Sequence, residues 1–269
     1  MESALMLEKR SFKERVISML RVDVRRTLKS RTFYILLAVS LLVPVVMTVM
    51  MTMMDGSVSV NPQTGVETVI HGPESTWQSI GTLPGGEAMG GMDVMAMCNI
   101  NMMFMVVAVF ICLFISDDFR SGYAKNLFTV RAKKGEYIIS KTLAGFVCGA
   151  FMLILYLIGS MLGGVIAGLS FDLHGLNAGN LVMCMLAKVF LMLVFVSIFV
   201  LISVAAKQKA WLALCGSLGG GMLLFMMVSM ITPLSSTIIN VVLCLAGGVL
   251  FAVGLGLASK AVLMKSSLV

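Results

Sequence analysis

The sequence predicts an all-α, polytopic membrane protein with six transmembrane helices. Of its 269 residues, 59% are hydrophobic and only 12% are charged, whereas a soluble domain has about 25% charged residues. The apolar residues collect in six runs, each close to the roughly twenty residues that cross about 30 Å of hydrocarbon as a helix. These observations exclude a soluble globular domain, a disordered chain and a secreted disulfide scaffold.

Each apolar run is assigned to one span. The spans cover about 33–54, 99–116, 142–169, 181–206, 210–231 and 237–258. The first contains Pro44, and a short connection makes the fifth and sixth a tight hairpin. Residues 1–32 form a separate amino-terminal segment, and residues 33–269 form the transmembrane domain, with an outer loop at 55–98 and an inner loop at 117–141.

The charged residues predict the orientation of the chain in the membrane. Of the 20 basic residues, all but Lys188 lie in the segments on one side of the spans, and the segments on the other side hold only acidic charges. Lysine and arginine collect in cytoplasmic loops, so both termini are predicted to be cytoplasmic. The basic excess therefore reports orientation, and we expect no nucleic-acid partner.

The amino-terminal segment predicts an amphipathic helix over residues 11–31. Its apolar positions recur at helical spacing, and basic residues occupy much of the remaining surface. The candidate membrane-interface residues are Phe12, Arg15, Arg21, Arg25 and Arg26. Such a helix lies at the membrane surface and attracts anionic headgroups by about 1 kcal/mol per basic residue. A plain positively charged anchor for the first span is the alternative interpretation.

The inner loop at 117–141 is longer than a connection between two spans requires. Ser121 and Gly122 are predicted to break the helix of the second span. A short helix is predicted over Tyr123–Arg131, and Lys134 with Gly135 is predicted to break the chain again. The exposed aromatic and apolar residues of this helix favour a protein-docking element over a solvated basic loop.

This loop resembles that of the permeases of type-2 ATP-binding cassette exporters. The resemblance lies in Asp118, then Gly122, Lys125, the apolar pair Leu127 and Phe128, and the basic stretch 131–141. It extends to the amino-terminal helix, the six spans and the fifth-to-sixth hairpin, and is strongest to bacterial permeases for the export of, or immunity to, antimicrobial peptides. The family commonly has a proline within the stretch that matches positions 130–134, and this chain has none.

The resemblance implies a multi-pass subunit in a bacterial cell membrane, with the short helix as a coupling helix that docks on a separate ATPase. Expected coupling residues are Asp118, Arg120, Gly122, Tyr123, Lys125, Leu127, Phe128 and Arg131. A second permease copy, identical or paralogous, is also implied. The sequence contains no phosphate-binding motif of the form G-x-x-x-x-G-K-[ST]. The chain is therefore expected not to be an enzyme and to bind no cofactor, and the partner would bind ATP and Mg²⁺.

The implied function is export of an amphipathic or hydrophobic substrate, such as an antimicrobial or toxic peptide. An ATP-independent channel or secondary transporter is the alternative. The spans contain no Asp, Glu or His, which argues against an intramembrane enzyme and against ion coupling through carboxylates. The dispersed cysteines and two histidines indicate no zinc site.

Within the spans, one lysine and several glycines are candidates for function. Lys188 is predicted to snorkel outward towards Asp172, and a place along the transport pathway is the alternative. Small residues at a spacing of four predict close helix packing, with pathway lining as the alternative. These are Gly159, Gly163, Gly164 and Gly168 in the third span and Gly216 and Gly220 in the fifth.

The outer loop at 55–98 also has two interpretations. It is predicted either to be a passive cap or to act by gating the outer exit or contacting a cationic peptide through acidic residues. These residues are Glu67, Glu74, Glu87 and Asp93.

Overall fold

The computed structural model describes residues 12–60, 67–69, 72–81, 99–131 and 134–265. Eight α-helices lie in these ranges: α1 Phe12–Lys29, α2 Arg31–Met53, α3 Met102–Arg120, α4 Tyr123–Arg131, α5 Lys134–Ala167, α6 Ala178–Ala206, α7 Ala210–Ile231 and α8 Ile238–Lys265. Two short strands, β1 Val58–Val60 and β2 Glu67–Val69, pair antiparallel. A 3₁₀ turn covers Thr76–Ser79.

Five helices, α2, α3, α5, α6 and α8, are long and apolar enough to cross a membrane. They show a multi-pass membrane protein. Helix α7, Ala210–Ile231, coincides with the fifth predicted span but is not among these five. The count of six spans therefore stays a prediction.

Helix α5 departs most from its predicted bounds. It begins at Lys134, so the predicted break at Lys134 and Gly135 is wrong. Its 34 residues span about 51 Å, well beyond about 30 Å of hydrocarbon. The polar first two turns continue the helix because Glu136, Ser140 and Lys141 all bind other side chains. The helix of the third span therefore extends into the predicted inner loop.

Helix α3 lies at the centre of the bundle, in contact with α5, α6 and α7. Met103, Phe104, Val107 and Ala108 are fully buried. The ring of Phe104 lies 4.5 Å, between centroids, from that of Phe195 in α6. Helix α6 packs in turn along α8. In contrast, α2, α7 and α8 expose apolar side chains along their outer faces, as lipid-facing helices do.

Helices α2 and α5 approach each other at two of the glycines. A Cβ atom on Gly159 would collide with the Leu41 carbonyl oxygen and lie 2.6 Å from Pro44 Cγ. A Cβ on Gly163 would lie 3.0 Å from Val45 Cα. These contacts fit the interpretation that small residues permit close packing.

The other four glycines differ in their surroundings. Gly164 faces Thr76, and a Cβ on Gly216 or Gly220 would lie 3.0 or 3.7 Å from Ile202 of α6. Gly168 lies just after α5 with φ +70° and has open space around it, so it serves as a helix end rather than a packing contact.

The described part of the outer loop closes over the connection between α5 and α6. Trp77 Nε1 donates a hydrogen bond to the Phe171 carbonyl oxygen at 3.0 Å, and Ser75 Oγ donates to that of Asp172 at 2.7 Å. Ile80 is completely buried. The side chain of Glu67 and all of Glu87 and Asp93 lie outside the described residues, so contact of this loop with a cationic peptide stays a prediction.

We predict that Gly159→Ala destabilises the protein by about 1–3 kcal/mol, because the added methyl group overpacks the contact with α2. Glycine to alanine within a helix otherwise gains about 1 kcal/mol. Gly247→Ala in α8, where a Cβ meets nothing within 4 Å, is the matched control and is expected to be neutral or stabilising. Thermal unfolding in detergent measures both. Equal stability of the two variants would contradict the close contact.

Candidate functional site

Four charged side chains meet at the end of the bundle that carries α1 and α4, which we name the basic end. Asp23 belongs to α1, Asp118 to the last turn of α3 and Lys141 to the second turn of α5. Arg26 lies one turn after Asp23 on the same face of α1. We call these four residues the charge cluster. It joins three helices that are distant in the sequence.

Lys141 is the centre of the charge cluster. Its Nζ lies 2.7 Å from Asp23 Oδ1 and 2.7 Å from Asp118 Oδ2. Arg26 Nη1 contacts the other Asp118 oxygen at 2.6 Å. The side chains of Asp23 and Asp118 are 0% exposed and that of Lys141 is 1% exposed. Two carboxylates thus share one buried ammonium group, and the arginine completes a neutral set.

Polar and aromatic neighbours surround these charges. Ser140 Oγ donates a hydrogen bond to Asp23 Oδ2 at 2.6 Å, and the Tyr137 hydroxyl donates to Asp118 Oδ2 at 3.0 Å. The Lys141 Nζ lies 3.8 Å from the centre of the Phe114 ring, which is a cation–π geometry. A buried ion pair requires such further contacts to offset its lost hydration, and the charge cluster has them.

Arg26 also joins the charge cluster to α4. Its guanidinium carbon lies 4.2 Å from the centre of the Tyr123 ring, in the first turn of α4. Burial alone lowers the pKa of Arg26, but the charge and hydrogen bond of Asp118 outweigh it and leave the pKa above its ordinary value. Burial raises the pKa of the Tyr123 hydroxyl. At neutral pH the arginine is therefore charged and the tyrosine is not.

Helix α4 turns its apolar side inward. Ala124 and Phe128 are buried, and the Phe128 ring lies 5.3 Å, between centroids, from that of Tyr137 in α5. Lys125, Asn126 and Thr129 are exposed.

The prediction that α4 presents an apolar docking surface is therefore wrong in part. Phe128 is buried against the bundle, and Tyr123, which Arg26 partly covers, and Leu127 are both half exposed. The sequence showed that α4 is amphipathic but not which partner covers its apolar side. The side that α4 presents outward is mainly polar.

Of the other expected coupling residues, too, only some are exposed to a partner. Arg120 is exposed at the end of α3. Gly122 forms the turn into α4 with φ +73°, a conformation that glycine adopts without strain. The side chain of Arg131 lies outside the described residues. Asp118 was expected to touch a partner through its charge, but its burial within the charge cluster directs that charge to Lys141 and Arg26 instead.

Two of the expected membrane-interface residues are also engaged within the protein. Arg15 binds Glu136 Oε1 at 2.8 Å and Arg26 belongs to the charge cluster. Arg21 and Arg25 are exposed, as is more than half of Phe12. The described part of the chain contains no group of three or more His, Cys, Asp or Glu residues that could hold a metal ion.

Comparison with known proteins identifies the family. The family model of the ABC-2 family transporter proteins matches residues 24–224. This range begins at Val24, directly after Asp23, and includes all of α4 and most of the bundle. The chain belongs to this family. It is thus a membrane component of an ABC-type transporter rather than an enzyme, and the family implies an ABC-type ATPase partner. No curated protein and no solved structure matches the chain.

In this permease, the predicted snorkelling of Lys188 is wrong. The residue is completely buried, and its Nζ donates hydrogen bonds to Asn101 Oδ1 at 2.8 Å and Thr232 Oγ1 at 3.0 Å. Asn101 Nδ2 donates in turn to Ser229 Oγ at 2.9 Å. Both acceptors lie at helix ends, Asn101 before α3 and Thr232 after α7, and they hold the lysine inside the bundle. It ties three helices of the permease together opposite the basic end.

Asp23 and Lys141 are the site residues that sequence reasoning missed. One signal was present for Asp23, since an acidic residue in a strongly basic helix, seven residues after the buried Val16, falls on its packed face. Lys141 directly precedes the apolar run of the third span, so it was assigned to the inner loop as one of its basic residues. Nothing in the order of residues shows that Asp23 and Asp118, 95 positions apart, share this lysine.

We predict that Asp118→Asn destabilises the permease by about 3–5 kcal/mol, because it leaves the charge cluster with a net positive charge beside the buried Lys141. Asp117→Asn makes the same chemical change at the neighbouring residue, which is exposed. It is expected to alter the free energy of unfolding by less than about 0.5 kcal/mol. Unfolding of the purified permease in a denaturing detergent series measures the difference. Equal effects of the two substitutions would show that the charge cluster does not hold this end together.

The contact between Lys188 and Thr232 predicts a second, coupled effect. Thr232→Val removes an acceptor from a buried ammonium group and is expected to cost about 1–3 kcal/mol. In a Lys188→Met background the same change is expected to cost at least 0.5 kcal/mol less, the threshold for coupled neighbours. A double-mutant cycle on unfolding free energies measures the coupling. If the effects of the two substitutions on the free energy of unfolding simply add, Lys188 and Thr232 are not in contact.

Proposed function

We propose that this chain is the permease subunit of an ATP-driven exporter and that α4 is its coupling helix. The observation that carries the proposal is the joint position of α4 and the charge cluster. Helix α4 presents Lys125, Asn126 and Thr129 outward, and its other side is fixed to α1, α3 and α5. A polar outward face on a firmly held short helix suits reversible contact with a soluble partner.

The proposed mechanism transmits movement through this firmly held end. A push on α4 reaches α5 through Phe128 and Tyr137, and it reaches α1 through Tyr123 and Arg26. Because Asp118 and Lys141 lock the ends of α3 and α5 together, these helices move as one body. Such rigid-body tilting is how an ATPase could drive the change between inward-facing and outward-facing states.

The contact with the ATPase is proposed to be polar and basic. Arg120 and Lys125 are exposed cations at the two sides of the Gly122 turn, and Leu127 supplies the half-exposed apolar contact. Exposed charges steer association and set partner choice more than they add affinity. A groove on the ATPase with acidic residues at its rim would complement this surface.

The basic end is proposed to be cytoplasmic, with both termini inside a bacterial cell membrane. Arg21, Arg25 and Lys209 are among its exposed cations, and such residues resist translocation. The described connections at the opposite end, 170–177 and 232–237, contain no lysine or arginine. An ATPase that hydrolyses cellular ATP can reach only this side.

A second permease copy and an amphipathic cargo complete the proposal. The wide apolar faces of α2, α7 and α8 leave room for both lipid and a second copy. Export of antimicrobial or toxic peptides is supported by the resemblance of the sequence alone. Transport by the purified chain without any ATPase would instead favour a channel or secondary transporter.

Cross-linking tests the proposed docking of α4. In a chain with Cys98 and Cys215 changed to serine, Asn126→Cys is labelled with a maleimide–benzophenone reagent and irradiated together with an ABC-type ATPase that co-purifies with the permease. We expect a permease–ATPase adduct, because this side chain is exposed on the outward face of α4.

Two variants serve as controls for this experiment. Ala124→Cys lies two residues away but is completely buried, and Ser235→Cys is exposed in the connection at the opposite end. Neither is expected to form the adduct. An adduct from Ser235→Cys, or none from Asn126→Cys in a complex that hydrolyses ATP, would contradict the proposed docking surface.

A further inference from the structure

A groove lies at the basic end, on the side away from α4. It has a volume of about 870 Å³ and is bounded by α5, α6, α8 and the first turns of α1. Ligand sites in proteins commonly enclose about 300–1,000 Å³. The charge cluster does not contribute to its lining, so the groove is separate from the proposed coupling region.

The walls of the groove are apolar and open sideways. Leu143 on α5 and Val253 and Leu257 on α8 line it and are substantially exposed. Gly256 lies between these α8 residues, and a Cβ there would meet nothing within 4 Å. The missing side chain leaves a channel along α8 of the kind that a flexible hydrocarbon chain fills.

The rim of the groove is positively charged. Arg15, Lys134 and Lys260 stand there with a single carboxylate, Glu136. Arg15 binds Glu136 at 2.8 Å, and Lys134 Nζ donates one of its hydrogen bonds to the Leu263 carbonyl oxygen at 2.7 Å. The Lys260 side chain lies over Gly135 and is exposed. Two positive charges therefore remain in excess at the mouth of an apolar groove.

We propose that this groove is a binding site for an anionic phospholipid, with an acyl chain along α8 and the phosphate between Lys134 and Lys260. The rim occupies the start of α5 and the last turns of α8, just beyond the predicted ends of the third and sixth spans, so we expect it to lie near the lipid headgroups. A second copy of this chain would bring its own basic residues to a basic rim, and a cationic peptide would also be repelled. An anionic lipid alone satisfies both the apolar walls and the charged rim.

The proposal does not depend on the ATPase or on transport. Only the assignment of the site to the inner leaflet rests on the proposed orientation. A bound lipid would add to the contacts that already join these helices here, which are Arg15 with Glu136 between α1 and α5 and Lys134 with the Leu263 carbonyl oxygen between α5 and α8. Lipid composition would then influence how firmly α1 is held.

The test is native mass spectrometry of the purified permease titrated with phosphatidylglycerol and, separately, with zwitterionic phosphatidylethanolamine. We expect the anionic lipid to bind more tightly. Lys260→Gln is expected to weaken phosphatidylglycerol binding about fivefold, which corresponds to about 1 kcal/mol per basic residue near the headgroups. Lys265→Gln, an exposed lysine at the end of the same helix and outside the lining, is the control.

A second pair of variants tests the groove itself. Gly256→Leu adds a side chain to the lining at a position where a Cβ meets nothing within 4 Å, and Gly254→Leu adds the same side chain two residues away, outside the lining, where a Cβ also meets nothing. We expect only Gly256→Leu to abolish the preference for phosphatidylglycerol. Equal loss in both variants, unchanged binding in Gly256→Leu and Lys260→Gln, or a permease dimer that Gly256→Leu disrupts would each overturn the proposal.

Discussion

The buried ammonium group of Lys141, shared by Asp23 and Asp118, is the interaction on which the basic end depends. Helix α1 has too few buried apolar residues to hold itself against the bundle, since Val16 is its one buried hydrophobic residue among those described. Partly buried Met19 adds one apolar contact, and the polar contacts of α1 lead to α5 through Arg15 and Asp23 and to α3 through Arg26. Without Lys141 two buried carboxylates would face each other, and α1 would lose its main attachment.

This dependence explains why a membrane protein retains four charges in a place shielded from water. An apolar contact between α1 and α5 would not require the burial of charges, but it would allow one helix to slide along the other. Ion pairs with distances of 2.6–2.7 Å permit one register only, because any shift separates a buried charge from its partner. A part that transmits force requires a fixed register more than it requires a large binding energy.

The sequence predicted the membrane helices because the solvent dictates them. Lipid requires about twenty apolar residues for each crossing, and that pattern is visible in the order of residues. The short helix Tyr123–Arg131 was also predictable, since Gly122 precedes it. The direction of its apolar side was not, because this depends on Tyr137 in the next helix. The same holds for Lys188, whose acceptors Asn101 and Thr232 are 87 and 44 positions away. Polar contacts inside a bundle follow from packing, which helical periodicity does not specify.

The two ends of the bundle are fixed by different means, and the difference bears on how it could move. At the basic end, charged groups fix α1, α3 and α5. At the opposite end, Lys188 joins α3, α6 and α7 through neutral acceptors, and no carboxylate is among its described partners. Lys188 therefore lacks the opposite charge that holds each cation of the charge cluster in place. If the helices tilt as one body at the basic end, as proposed, the contacts of Lys188 would be the ones to yield, and the bundle would begin to open at its opposite end, where α3, α6 and α7 meet.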